Sequence, residues 1–123
     1  MTTATQTQST TVASAATAIA VVSAETVFDA IQTATTRATV EQLIQAKSEA
    51  IVIDFTHTTF MDSSGLGVLL HLRKASQLAG VPLYLAALNA QCRMLFELTR
   101  ADAIFAIVPD ASVVFSPIAA SVA

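Results

Sequence analysis

The stretch Ile51-Val52-Ile53-Asp54-Phe55, followed after four residues by Phe60-Met61-Asp62-Ser63-Ser64-Gly65-Leu66-Gly67-Val68-Leu69-Leu70, decides how this chain is read. Ile51-Val52-Ile53 is a short, unbroken run of β-branched residues, the pattern of a strand buried on both faces. Asp54 ends it. Residues 56–61 read as a loop. Asp62 or Ser63 then caps a helix, because a short side-chain oxygen can accept from the backbone N–H groups left free at a helix start. That helix is expected to run to Ala79. Leu66, Leu69, Leu70, Leu72 and Leu78 make a broad apolar face, and Gly80 stops it.

Outward from this core the pattern alternates. Residues 34–47 read as an amphipathic helix with Ala38, Val40, Leu43 and Ile44 on one face. Residues 81–87 read as a strand with Pro82 near its start. Residues 90–99 read as a helix with Met94, Leu95 and Leu98 inward, and residues 104–108 as a last strand closed by Pro109. Residues 111–123 suit a short helix that Pro117 limits. On the N-terminal side, residues 12–22 are rich in Val, Ile, Ala and Thr and suit one or two short strands. Phe28 and Ile31 flank Asp29 where a strand gives way to a connection. Residues 1–11 are low in complexity and are expected to form a poorly ordered tail, leaving residues 12–123 as a single domain. Buried strands alternating with helices argue for an α/β sheet with crossover helices.

Composition narrows the function classes. At 123 residues the chain is the size of one domain. Only 12% of residues are charged, roughly half the usual share. Such a surface must be rich in Thr, Ser and Gln or must meet other proteins. The Lys and Arg residues are scattered singly apart from Arg73-Lys74, and the net charge is −3. No basic stripe exists to neutralise a row of phosphates, which argues against direct nucleic-acid binding. Cys92 is the single cysteine, so no intramolecular disulfide can form, as suits a reducing cytosol. No Lys or Arg precedes Arg37, and no apolar run approaches the roughly 18–20 residues of a membrane span. A cytoplasmic protein without a membrane span is therefore expected.

Asp62, Ser63 and Ser64 fall at the expected helix N-terminus. Free N–H groups and the positive end of the helix dipole let such a site tolerate an anion. Gly65 and Gly67 are expected to keep the surface low, so that another protein's backbone can come close. Phe60, Met61, Leu66 and Val68 are candidates for apolar contacts there. The serines lack a Gly-x-Ser-x-Gly elbow, and no Gly-x4-Gly-Lys-Ser/Thr loop occurs. His57 and His71 have no clustered ligands around them. Neither an enzyme nor a metal or cofactor site is indicated.

The block from Ile51 to Leu70 closely resembles the central signature of STAS domains, in which a hydrophobic strand ending in Asp leads to Phe-hydrophobe-Asp-Ser-Ser/Thr-Gly-hydrophobe-Gly. Ala79-Gly80-Val81-Pro82-Leu83-Tyr84-Leu85, Arg93-Met94-Leu95-Phe96-Glu97-Leu98-Thr99 and residues 103–108 extend the resemblance, which covers residues 19–110. It implies a mixed, mostly parallel sheet of four to five strands with three to four helices packed mainly on one face. The match is to the anti-sigma factor antagonists of the family. It implies a non-enzymatic, cofactor-free switch that in its unphosphorylated form binds an anti-sigma factor with serine kinase activity and frees a sigma factor. A serine phosphatase reverses the modification. Ser64, directly before Gly65, matches the phosphoacceptor, with Ser63 as the alternative. Asp62 matches the acidic neighbour, and Asp29 in Val27-Phe28-Asp29-Ala30 resembles an acidic residue near the switch serine. Met61, Ser63, Gly65, Leu66 and Gly67 complete the expected switch surface. STAS domains also serve as non-switching docking subunits of transporters or signalling scaffolds, which is the alternative the resemblance implies.

Overall fold

Strand β4 (Ala50–Asp54) lies at the centre of the sheet, as its unbroken apolar run requires; Ile51, Val52 and Ile53 are fully buried. The structure is a computed structural model that describes residues 10–12 and 19–115. Strands β2 (Ile19–Ser23) and β6 (Leu83–Ala86) flank β4 in parallel, and β7 (Ala106–Val108) runs parallel to β6. Strand β1 (Thr10–Val12) pairs antiparallel with β2 and gives the order β1-β2-β4-β6-β7. Helices α1 (Ala34–Gln45), α2 (Ser63–Ala79) and α3 (Ala90–Thr99) each carry the chain from one parallel strand to its next neighbour. Right-handed crossovers that step one way across a sheet must lay their helices on the same face.

The period of two along each strand then divides the core. Ile51, Ile53 and Leu85 face Val40, Ile44, Leu69, Leu72 and Phe96 in one large cluster. Val52 and Ala86 point to the other face, where Val114 of α4 (Ser112–Phe115) meets them. The fold is thus the mixed, mostly parallel sheet of five strands with helices mainly on one face that the sequence implies.

Several inward faces differ from expectation. In α1, Ala38 is exposed and Thr36 is buried in its place. A buried threonine is tolerated because Glu25 accepts from its hydroxyl (2.6 Å) and its N–H (3.3 Å). In α2, Leu66, Leu69, Leu72 and Ser76 form the buried stripe, while Leu70 and Leu78 remain exposed. Helix α3 is rotated so that Cys92 and Phe96 are buried and Met94 and Leu98 face outward. Phe96 is drawn inward by an edge-on contact with Phe105, ring centroids 5.5 Å apart. The expected strand over 104–108 is shortened because Ala101–Ala103 form a 3-10 turn. Within the expected loop of 56–61, β5 (Phe60–Met61) pairs in parallel with β3 (Val27–Phe28) to make a separate ribbon. Of the tail expected over residues 1–11, residues 1–9 lie outside the described residues, whereas Thr10 and Thr11 pair with Val22 and Val21. The C-terminal helix spans Ser112–Phe115; residues 116–123 lie outside the described residues.

Candidate functional site

Helix α2 begins and ends as its sequence dictates. Asp62 is the N-cap in extended conformation, and Gly80 closes the helix in the left-handed region at φ 74°. One carboxylate oxygen of Asp62 accepts from the Gly65 N–H (3.0 Å) and from the Ser64 hydroxyl (2.7 Å). The same Ser64 oxygen accepts from the Ala30 N–H at 2.9 Å. Ala30 stands just past β3, in a turn that Asp29 closes. The Asp29 carboxylate accepts from the N–H groups of Ile31 (3.0 Å) and Gln32 (2.7 Å). Asp29 therefore shapes the backbone that holds the Ser64 hydroxyl. Ser63 and Ser64 are both exposed.

The two glycines of the motif do different work. A Cβ on Gly65 would stand 2.1 Å from the Phe28 carbonyl oxygen. Gly65 is buried, and its missing side chain lets α2 approach β3 rather than lowering a surface for a partner. Gly67 is exposed, and a Cβ there would meet nothing within 4 Å. Met61 and Leu66, expected among the contact residues, belong to the core; they are 0% and 5% exposed. Met61 points inward because β5 presents alternate faces, which leaves Phe60 outside. Val68 is buried as well. The large apolar groups exposed around the serines are Phe60 and Ile31.

Two residues that sequence reasoning did not single out hold this end together. Gln91 donates to the Met61 carbonyl (2.8 Å) and accepts from the Met61 N–H (2.9 Å), so its amide takes the place of a neighbouring strand. Asn89 caps α3 by accepting from the Cys92 N–H (2.8 Å), and it donates to the carbonyls of Thr58 and Thr59 (3.2 Å each). The capping role of Asn89 is legible from its position before a helix; the reach of either amide to β5 has no local signature. Gln91→Ala is expected to lower stability by about 1–2 kcal/mol through two lost hydrogen bonds. A urea titration at neutral pH measures it.

The STAS domain profile matches residues 3–116. The chain belongs to the STAS domain family. Solved structures with the same fold include the anti-sigma factor antagonist SpoIIAA in its unphosphorylated form, at 17% identity over 85% of this chain and 92% of that one, with a TM-score of 0.67. SpoIIAA of Bacillus in its phosphorylated form matches at 18% identity over 85% and 96% of the two chains, TM-score 0.63. An anti-sigma-factor antagonist (STAS) domain protein from Planctomyces limnophilus matches at 15% identity over 72% and 80%, TM-score 0.60. At these identities the likeness is one of fold. Comparison with curated proteins finds no match. Among the described residues of this STAS domain, no helix is long and apolar enough to cross a membrane.

The electrostatics of the STAS motif here centre on Asp62. Its carboxyl is held below the ordinary value of 3.8, first by the Ser64 hydroxyl and then by the Gly65 N–H. A carboxyl depressed in the native state stabilises the fold above its ordinary value and loses that contribution as pH falls through the native value. Urea midpoints are expected to fall as the pH is lowered through 3.8 and below. Asp62→Asn keeps the acceptor oxygen but cannot titrate, so its midpoint is expected to fall less over the same range. Equal slopes in the two proteins would remove Asp62 from the acid response.

Proposed function

We propose that this STAS domain is a phosphorylation-controlled binding switch. It acts as an anti-sigma factor antagonist: unphosphorylated, it binds an anti-sigma factor with serine kinase activity and so frees a sigma factor. Ser64 is the acceptor, and Ser63 is the alternative. The observation that carries this reading is the exposed Ser64 hydroxyl, bonded to the Ala30 N–H on one side and to the Asp62 carboxylate on the other. A phosphate on that oxygen removes the proton given to Asp62 and sets about −1.5 to −2 charges beside a carboxylate. The close packing of Gly65 on Phe28 leaves no space beneath the first turn of α2, so the phosphate projects toward whatever binds there.

In this reading Asp62, Ser63 and Gly67 form the contact surface with Ile31 and Phe60, and Asp29 supports it. Met61, Gly65 and Leu66 hold it from below. A serine phosphatase restores the binding form. The chain itself catalyses nothing and uses no cofactor, ATP belongs to the kinase, and the exchange takes place in the cytoplasm. The likeness to SpoIIAA, known in unphosphorylated and phosphorylated forms, supports the reading. Phosphosite mass spectrometry on protein purified from its native host tests it. Phosphate is expected at Ser64; phosphate at Ser63 alone would transfer the acceptor role. Its absence under several growth conditions would overturn the switch and favour a non-switching docking subunit of a transporter or signalling scaffold.

A further inference from the structure

Helix α2 starts at the serine end of the sheet, so its last turns meet the starts of the parallel strands β6 and β7 at the opposite end. A cleft of about 230 Å³ opens there. It is lined by Arg73 and Gln77 of α2, by Val81 and Leu83 where the chain enters β6, and by Ile104 and Phe105 ahead of β7. Its walls are fixed. The Val81 N–H donates to the Ser76 carbonyl (2.9 Å) and the Gly80 N–H to the Gln77 carbonyl (3.1 Å), which ties the chain leaving α2 back onto the helix. Val81 and Phe105 are buried, and Leu83 packs against the same core.

Among these apolar walls stands one cation. The Arg73 guanidinium donates through Nε to the Ile104 carbonyl (2.9 Å), itself part of the lining. That bond fixes the plane of the guanidinium and leaves its two terminal amino groups, the pair that grips a carboxylate end-on. Among the described residues no carboxylate pairs with Arg73, and none lines the cleft. Gln77 follows Arg73 at i+4, on the same side of α2, and brings a second donor.

Size and charge choose the ligand. A closed cavity of ~150 Å³ takes up benzene, so this cleft has room for one ring, or a branched chain of that size, with a carboxylate. One guanidinium balances one negative charge. A phosphate dianion would lack a second cation, since Lys74 is not among the lining residues. A bare inorganic anion would also leave the apolar walls wet.

We infer that this cleft binds a small organic monocarboxylate, with its carboxylate on Arg73 and its ring or branched chain against Val81, Leu83 and Phe105. The site lies at the other end of α2 from Ser64 and does not rest on the switch reading. The test is a titration of the isotope-labelled full chain with sodium benzoate, followed through the backbone amides and the arginine Nε signals. Saturable shifts are expected at Val81, Leu83, Phe105 and the Arg73 Nε, with a dissociation constant of about 1 mM for so small a ligand.

Benzyl alcohol has the same ring and no charge. It should bind about 10-fold or more weaker, because it forfeits a charge-assisted pair. Arg73→Gln should weaken benzoate to the same degree. Lys74→Gln, an equal loss of charge outside the cleft, should change it less than about twofold. No saturable shifts up to about 20 mM benzoate would overturn the inference. So would shifts centred on Leu88 and Val108, in the cavity beside Arg93. Benzyl alcohol or inorganic phosphate binding as tightly as benzoate, or full affinity in Arg73→Gln, would overturn it as well. The comparison of benzoate with benzyl alcohol needs no variant, so it decides even where Arg73→Gln fails to fold.

Discussion

Gly65→Ala is expected to destabilise the domain by about 2–3 kcal/mol, while the same change at Gly67 is expected to stabilise it by about 0.5–1 kcal/mol. Both glycines lie in the first turns of α2, and alanine has the higher helix propensity at each. The signs differ because of what a methyl group would meet. At Gly67 it meets nothing within 4 Å, so the propensity gain stands alone. At Gly65 it stands 2.1 Å from the carbonyl oxygen and 2.8 Å from the carbonyl carbon of Phe28. Those are backbone atoms and cannot rotate aside. Phe28 is itself anchored, fully buried and edge-on to Phe55 with ring centroids 5.1 Å apart. The clash must lift α2 away from β3, and that separates Ser64 from the Ala30 N–H. Denaturant midpoints of the two variants measure the energies, and the Ala30 amide shift reports the separation. A neutral Gly65→Ala would mean that α2 does not press on β3.

That contrast marks the limit of what the sequence conveys. The strand at Ile51–Ile53, the cap at Asp62 and the stop at Gly80 depend on a few adjacent residues, and each is legible. The motif also marks both glycines, but which one is a packing contact depends on Phe28, far away along the chain. The rotation of α3 is similarly hidden. Met94, Leu95 and Leu98 make one good helical stripe, and Cys92 and Phe96 make another. Phe105 selects the second by offering an aromatic edge. The ribbon of β3 and β5 has two residues per strand, too few for any period to show. The bond from Ala30 to Ser64 joins residues 34 apart and involves a backbone amide, which no side-chain pattern can announce. The acidic pair Asp29 and Asp62 was legible as composition. Their separate tasks, closing the turn that offers the Ala30 amide and accepting the hydrogen bond of the Ser64 hydroxyl, required the fold.

Phosphorylation of Ser64 is expected to weaken partner binding by about 100-fold or more and to leave the fold intact. A hundredfold corresponds to about 2.8 kcal/mol, which a phosphate at an interface can supply in two ways. The modified oxygen no longer donates to Asp62, so the carboxylate and the phosphate face each other with like charge. In the free domain water surrounds both groups, since Asp62 and Ser64 lie at the surface. In a complex that water is removed, and the repulsion between the two anions is screened less. Ser64→Ala separates the two effects. It cannot be modified, it forfeits two hydrogen bonds at a cost of about 1 kcal/mol, and it is expected to bind the partner persistently. Calorimetry with the anti-sigma kinase of the same host would compare the three forms. Backbone shifts on phosphorylation should stay within residues 28–31 and 61–67, where the chain touches the serine. Shifts spread through β4 and β6 would mean that the switch works by refolding rather than by charge, and an affinity unchanged by phosphate would take Ser64 out of the interface.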